Sequence, residues 1–244
     1  MALGKFHAVT IPMWTEIGVA AKGLTTGISS ATATVDQRTE PAARWAIWRD
    51  EKRSRLEDDR GKGLNSAAAF AALSGAVPSD AIIAVDVGNN TYSFGRYFEC
   101  QGQRVLMSGY LGSIGFSFSA AMGAWAATQD QEAYWGRKVV SVSGDGGFGQ
   151  YLADFTTAVK CKMDITHVLL NNSELGKISK EQRAGEWPVW QTDLHNPSVS
   201  AYAKLCGGHG IRVTKADQLR QALDDALAQP GPSLVEIITD ADLI

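Results

Sequence analysis

An α/β fold, a doubly wound parallel sheet of about six strands with helices on both faces, is the architecture the sequence predicts. From about residue 63 onward, short apolar runs alternate with segments of helical length. Strands separated in this way pair in parallel, with right-handed crossovers. Several of the runs stop at glycine-rich turns, at Gly88, Gly109 and Gly144, which is where open α/β sheets bind ligands. With 244 residues, 45% of them hydrophobic and 20% charged, the chain has the size and composition to bury a substantial core.

Taken in order, residues 1–35 stand apart. Ala8-Val9-Thr10-Ile11-Pro12-Met13-Trp14 is expected to form one short strand and 16–24 a short helix, before a Ser/Thr/Ala-rich stretch over 25–34. One strand and one helix cannot bury their own faces, so this part reads as the tail of a preceding domain. Residues 36–62 form a charged linker, helical over 40–60, where opposite charges recur at helical spacing. A solvated helix is favoured there over a binding function, and Gly61 and Gly63 end it.

The main domain covers 63–244. A helix over 66–73 leads to the apolar run 81–87, which ends at Gly88-Asn89-Asn90; Val105-Leu106-Met107, a glycine-rich turn and a small-residue helix over 116–128 follow. Strand 138–143, helix 151–159 and strand 165–170 come next, then a polar segment carrying Trp187 and Trp190. A helix near 201–205, strand 211–213, helix 216–228 and strand 234–238 complete the domain. The Trp187–Trp190 cluster is read as a packing or subunit-contact loop, because aromatic residues favour interfaces. His167, inside an apolar strand, is read as a satisfied core residue.

Charge and cysteines exclude several classes. A formal net charge of −3 offers no basic excess for a polyphosphate backbone, so no nucleic acid is expected as a partner. The three cysteines, Cys100, Cys161 and Cys206, are widely spaced and odd in number, which argues against a secreted disulfide framework and for a cytoplasmic setting. No apolar run approaches a membrane span, which needs about 20 residues.

The chemistry concentrates in 144–176. Gly144-Asp145-Gly146 stands at the end of a strand, and 24 residues (147–170) separate it from Asn171-Asn172 at the end of the next. Glycines let backbone N–H groups approach an anion beside a helix start. A carboxylate between them would repel a phosphate unless a cation intervened, so Asp145 points to a hard divalent metal bridging protein and diphosphate. Asn172 adds a neutral oxygen and the Glu174 carbonyl another, a set that suits Mg²⁺.

This arrangement resembles the thiamin diphosphate-binding motif, Gly-Asp-Gly followed after about two dozen residues by Asn-Asn. Gly109-Tyr110-Leu111-Gly112-Ser113-Ile114-Gly115-Phe116 resembles the family segment that holds the aminopyrimidine, with Gly112 at the carbonyl acceptor and Ile114 as the wedge that bends the cofactor. Asp86-Val87-Gly88-Asn89-Asn90 resembles the turn that touches the diphosphate. The resemblance runs from about Gly63 to the C-terminus. It implies cofactor contacts from Gly88, Asn89, Asn90, Gly112, Ser113, Ile114, Gly144, Gly146, Gly147, Leu175 and Gly176, with Asp145, Asn172 and Glu174 as metal ligands.

Within this family the segment 171–182 is most similar to the pyruvate oxidase and acetolactate synthase group, and especially to pyruvate oxidases, which place a glutamate where Glu181 stands. Glu181 and Ile114 are therefore the candidate catalytic residues. Lys177 departs from the pattern, since an aromatic or apolar residue is common there. Residues 3–7 and 14–18 resemble the last strand and helix of the middle domain of these enzymes, so 1–35 is expected to be its remnant.

The resemblance implies a 2-oxo acid substrate such as pyruvate. It also implies a pyrimidine-binding domain, supplied by another chain or a missing N-terminal part, without which this chain is expected to be inactive. A shortened chain, a proteolytic fragment and a natural subunit are all open, and the start favours the first two. FAD would belong to the full-length enzyme and is not expected on this chain, whereas self-association into a homo-oligomer is. An acetolactate synthase-like carboligase portion, a non-catalytic assembly module of the same fold and an unrelated nucleotide or phosphosugar binder are the alternatives.

Overall fold

The computed structural model describes residues 7–28, 35–109 and 111–243. The chain divides into two compact units, Met1–Trp48 and Arg49–Ile244. In the first unit, helix α1 (Ile17–Ile28) buries none of its residues, and the rings of Trp45 and Trp48 meet edge to face at 5.2 Å. The strand expected over 8–14 does not form: residues 7–16 are bends and coil. Val9, Ile11, Met13 and Trp14 are all exposed, and a strand without a ladder partner is not stable in water. The charged stretch folds as α2 (Thr39–Arg55), and the division between units falls inside it.

The second unit begins with α3 (Ser66–Ala76), capped by Asn65, whose side chain accepts from the Ala68 N–H at 2.7 Å. Its elements then alternate: β1 (Ile82–Val85), α4 (Asn89–Tyr97), β2 (Arg104–Met107), α5 (Phe116–Asp130), β3 (Val139–Gly144), α6 (Asp145–Gly149), α7 (Asp154–Lys160), β4 (Ile165–Asn171), α8 (Gly176–Ala184), α9 (Val199–Leu205), β5 (His209–Val213), α10 (Leu219–Ala228) and β6 (Ser233–Ile238). The turn expected at 88–90 is the start of a helix the sequence reading missed, α4. The helix expected over 151–159 begins only at Asp154, and that over 216–228 opens with a 3₁₀ turn.

The six strands form one parallel sheet in the order β2-β1-β3-β4-β6-β5. Successive side chains of a strand point to opposite faces, and both faces are covered. Ile83, Val85, Val140 and Val142 pack with α3, α4 and α10. Ile82, Ala84, Val139 and Leu169 pack with α5, α7 and α9. This double burial explains why the central strands read as continuous apolar runs. The chain leaves β1 outward to β2 and then returns to the other side of β1 as β3, so the β1/β3 strand ends form the topological switch point.

His167 sits in the middle of β4 with no exposed surface. Its Nδ1 meets the Ser141 hydroxyl at 3.0 Å and its Nε2 the Ser143 hydroxyl at 3.1 Å, while the Phe148 ring lies 4.2 Å away, centroid to centroid. It is a satisfied core histidine, and burial lowers its pKa from 6.5 to about 3.

Candidate functional site

Four loops meet at the switch point around a cavity of about 240 Å³. The loop after β1 brings Gly88, Asn89 and Asn90, and the segment before α5 brings Gly112 and Ile114. The β3–α6 junction adds Gly144, Asp145, Gly146 and Gly147; the β4–α8 loop adds Asn172, Glu174, Leu175 and Gly176. Two of the expected site residues are not on this wall. Ser113 is exposed, and Glu181 lies on the surface of α8, paired with Lys177 at 2.8 Å. Tyr110, within the Gly109–Phe116 segment, lies outside the described residues, as do 3–6 of the expected middle-domain remnant and 29–34 of the Ser/Thr/Ala-rich stretch.

Close backbone approach explains two of the glycines. A Cβ on Gly147 would stand 2.2 Å from Asp86 Oδ2, and one on Gly176 would stand 2.7 Å from Asn89 Nδ2. Asp86 is the tie between loops: its buried carboxylate accepts from the N–H groups of Val87 at 2.8 Å, Gly115 at 2.9 Å and Phe116 at 3.0 Å. It thereby fixes the Ile114 segment against the end of β1. Burial raises the Asp86 pKa, and those three N–H bonds oppose the rise.

Asp145 is 5% exposed, and its Oδ2 accepts from the Ser173 N–H at 2.8 Å and from Asn196 Nδ2 at 2.6 Å. Asn196 also donates to Asn171 Oδ1 at 3.1 Å, and Asn171 donates through Nδ2 to the fully buried Glu236 at 2.8 Å. Ser173 adopts a positive φ of 55° to turn its N–H onto the carboxylate. The following backbone is zipped to 192–194 by Leu175 N–H to Thr192 O at 2.7 Å and Leu194 N–H to Ser173 O at 2.8 Å. Asn196 was missed in the sequence; its only local signal was the helix-start pattern Asn196-Pro197-Ser198.

Burial raises the Asp145 pKa, with the Asn196 and backbone hydrogen bonds opposing it. No ion pair to Asp145 occurs among the described residues. A buried carboxylate without a cationic neighbour is costly, and a bound cation would remove that cost. The same residues hold no group of three His, Cys, Asp or Glu, so the donors at hand are one carboxylate, the Asn172 amide and backbone carbonyls. That set fits a hard cation and not a thiolate- or imidazole-seeking one. The Asn172 amide oxygen already accepts from the Glu174 N–H at 3.0 Å, which holds it in place, while the Glu174 side chain turns away to Arg183 at 3.4 Å.

The cavity lining also holds an unpaired donor. Asn89 Nδ2 is buried there without a hydrogen-bond acceptor. A buried donor left unpaired is costly, and a phosphate oxygen would satisfy it. Val87, Ile114, Leu175 and Ile178 give the other wall an apolar surface suited to a flat ring. The Trp187–Trp190 loop is elsewhere in character: Trp187 is 69% and Trp190 72% exposed, so neither ring is buried among the described residues.

Residues 86–237 match the family described as "Thiamine pyrophosphate enzyme, C-terminal TPP binding domain"; thiamine pyrophosphate, or TPP, is thiamin diphosphate. Among curated relatives, the Bacillus subtilis (strain 168) protein YdaP, whose name calls it thiamine pyrophosphate-containing, is 36% identical over 69% of this chain and 28% of its own length. An acetolactate synthase of the same organism is 30% identical over 69% of this chain and 29% of its own. The chain thus spans less than a third of the length of these relatives. A solved structure, the Rhodococcus jostii RHA1 thiamine diphosphate-dependent 4-hydroxybenzoylformate decarboxylase, superposes with a TM-score of 0.65 at 27% identity, covering 77% of this chain and 34% of that one.

Proposed function

The chain belongs to the thiamine pyrophosphate enzymes through their C-terminal TPP-binding domain, and we propose that it is the thiamin diphosphate- and Mg²⁺-binding portion of an enzyme that decarboxylates a 2-oxo acid, with pyruvate oxidase-like chemistry. The observation that carries the metal and diphosphate assignment is the convergence of Asp145, Asn172 and the unpaired Asn89 donor on one cavity. When bound, the cofactor supplies the electron sink for decarboxylation. The residues of this chain supply placement. Asp145, Asn172 and the Glu174 carbonyl would hold the metal, Asn89 the diphosphate, and Ile114 the bend of the cofactor from the apolar wall. Glu181, exposed on α8, stands for an active-site group on a surface that a second domain would approach.

A pyrimidine-binding domain from another chain, within a homo-oligomer, completes this reading. The acetolactate synthases among the relatives favour a second reading, in which the same half-site serves carboligation. Calorimetric titration with thiamin diphosphate, with and without Mg²⁺, tests the first claim: saturable, metal-dependent binding is expected, and its absence removes it. Pyruvate turnover by the chain alone would remove the need for a partner domain. In the assembled enzyme, acetolactate as the product would replace the oxidase reading with the carboligase one.

A further inference from the structure

A second cavity of about 240 Å³ opens between α4 and α8, walled by Asn89, Tyr92, Ser93, Arg96, Lys177 and Lys180. Asn89 and Lys177 also line the cofactor cavity, so the two spaces share a wall. The charge of this groove is one-sided. Three cations and no carboxylate are among its lining residues, and one of the cations, Lys177, pairs with Glu181 at 2.8 Å. The Lys177 ammonium is further held over the Tyr92 ring, 5.1 Å from its centroid. It is therefore fixed at the junction and not left to wander in solvent. Arg96 and Lys180 have no carboxylate partner among the described residues.

We propose that this groove binds an anionic tail of the substrate, and that the acid decarboxylated is a 2-oxo acid with a second anionic group. The proposal rests on the cofactor reading above and narrows its substrate class. The geometry supports it in two ways. First, the groove shares Asn89 and Lys177 with the cofactor cavity, so its other two cations, Arg96 and Lys180, stand beside the space in which the substrate would react. Second, a site with more cations than carboxylates favours anions over neutral groups. Pyruvate has no such tail and would leave the groove unfilled.

The test compares two acids on the full chain loaded with thiamin diphosphate and Mg²⁺. Calorimetry with 2-oxoglutarate and with pyruvate should give roughly tenfold tighter binding of the dicarboxylate, from the added ion pairs. Arg96→Ala combined with Lys180→Ala should shrink that gap to within about twofold, and high salt should do the same to the unsubstituted chain by screening exposed charges. Thiamin diphosphate affinity and thermal stability should not move, because neither residue lines the cofactor cavity or is buried. Equal affinity for the two acids, or a gap that survives the double substitution, overturns the proposal. Failure of thiamin diphosphate to bind the unsubstituted chain would sink the cofactor reading by itself; 2-oxoglutarate binding that depends on Arg96 and Lys180 would still decide the groove.

Discussion

Asp145 and Glu181 are both carboxylates at the same edge of the sheet, and the chain treats them in opposite ways. Asp145 is buried and held by groups from three separate stretches: Ser173 after β4, Asn196 before α9 and its own helix start. Glu181 has a side chain 59% exposed and, among the described residues, a single ion-pair partner, Lys177, one turn away on the same helix. The first position is over-determined by the fold, so its geometry is built before any ligand arrives. The second is defined only by the surface of α8, so what it does depends on what is laid against that surface.

The largest difference should appear on removing each carboxylate. Asp145→Ala deletes the anionic donor from the metal set, and metal-dependent thiamin diphosphate affinity should fall at least about 100-fold. Titration at fixed Mg²⁺ checks this; unchanged affinity would remove Asp145 from the metal site. Next comes the support behind it. Glu236 has no exposed surface and accepts from Asn171 Nδ2, the Ser200 N–H and Arg212. Burial alone would raise its pKa, but these bonds together hold it below the usual carboxylate range. Glu236→Ala leaves those donors unpaired and should cost about 3 kcal/mol in chemical denaturation. A loss under about 1 kcal/mol would mean that the network is not rigid.

A third prediction uses pH on the core beneath the site. The folded-state pKa of His167, about 3, lies below its ordinary value of 6.5. The folded state therefore resists protonation that the unfolded state accepts. The stability His167 contributes is complete above pH 6.5 and is lost as pH falls from there toward 3. The loss should approach about 1.4 kcal/mol per pH unit within that window. His167→Gln keeps a hydrogen-bonding side chain without the titration. The difference in unfolding free energy between the two proteins, followed from pH 7 to pH 4, should carry that slope. Parallel curves would contradict it.

What the sequence made legible follows the same division. The strands were readable because both faces of the sheet are covered, so Ile82 to Val85 is wholly apolar and Val139 to Ser143 is interrupted only by Ser141 and Ser143, whose hydroxyls meet His167. The Gly144–Gly147 and Asn171–Gly176 loops were readable because close approach excludes side chains at Gly147 and Gly176. Asn196 was not, since a side chain that reaches Asp145 across 51 residues leaves no local pattern. Helix α4 was hidden by Asn89-Asn90, residues that read as a turn but here start a helix, with Asn90 Nδ2 bonded back to the Asp86 carbonyl at 2.8 Å. The strand expected over 8–14 failed for a complementary reason: its apolar residues resemble a strand, but among the described residues no strand pairs with them.

The smallest effect is expected at Glu181. Its pair with Lys177 is an exposed contact one turn apart on a helix, and such pairs are worth about 0.3–0.5 kcal/mol. Glu181→Gln should therefore leave the stability of this chain within about 0.5 kcal/mol, and thiamin diphosphate affinity unchanged, because Glu181 is not on the cavity wall. Three measurements then sharpen the contrast with Asp145. Denaturation and cofactor titration of the isolated chain should show no response, whereas turnover in the enzyme assembled with its pyrimidine-binding partner should fall. If turnover is also unmoved, Glu181 is an ordinary surface charge and the active-site role is gone. If stability falls by more than about 1 kcal/mol, α8 is held by this pair more firmly than its exposure allows, and the opposition between a built site and an open surface would have to be redrawn.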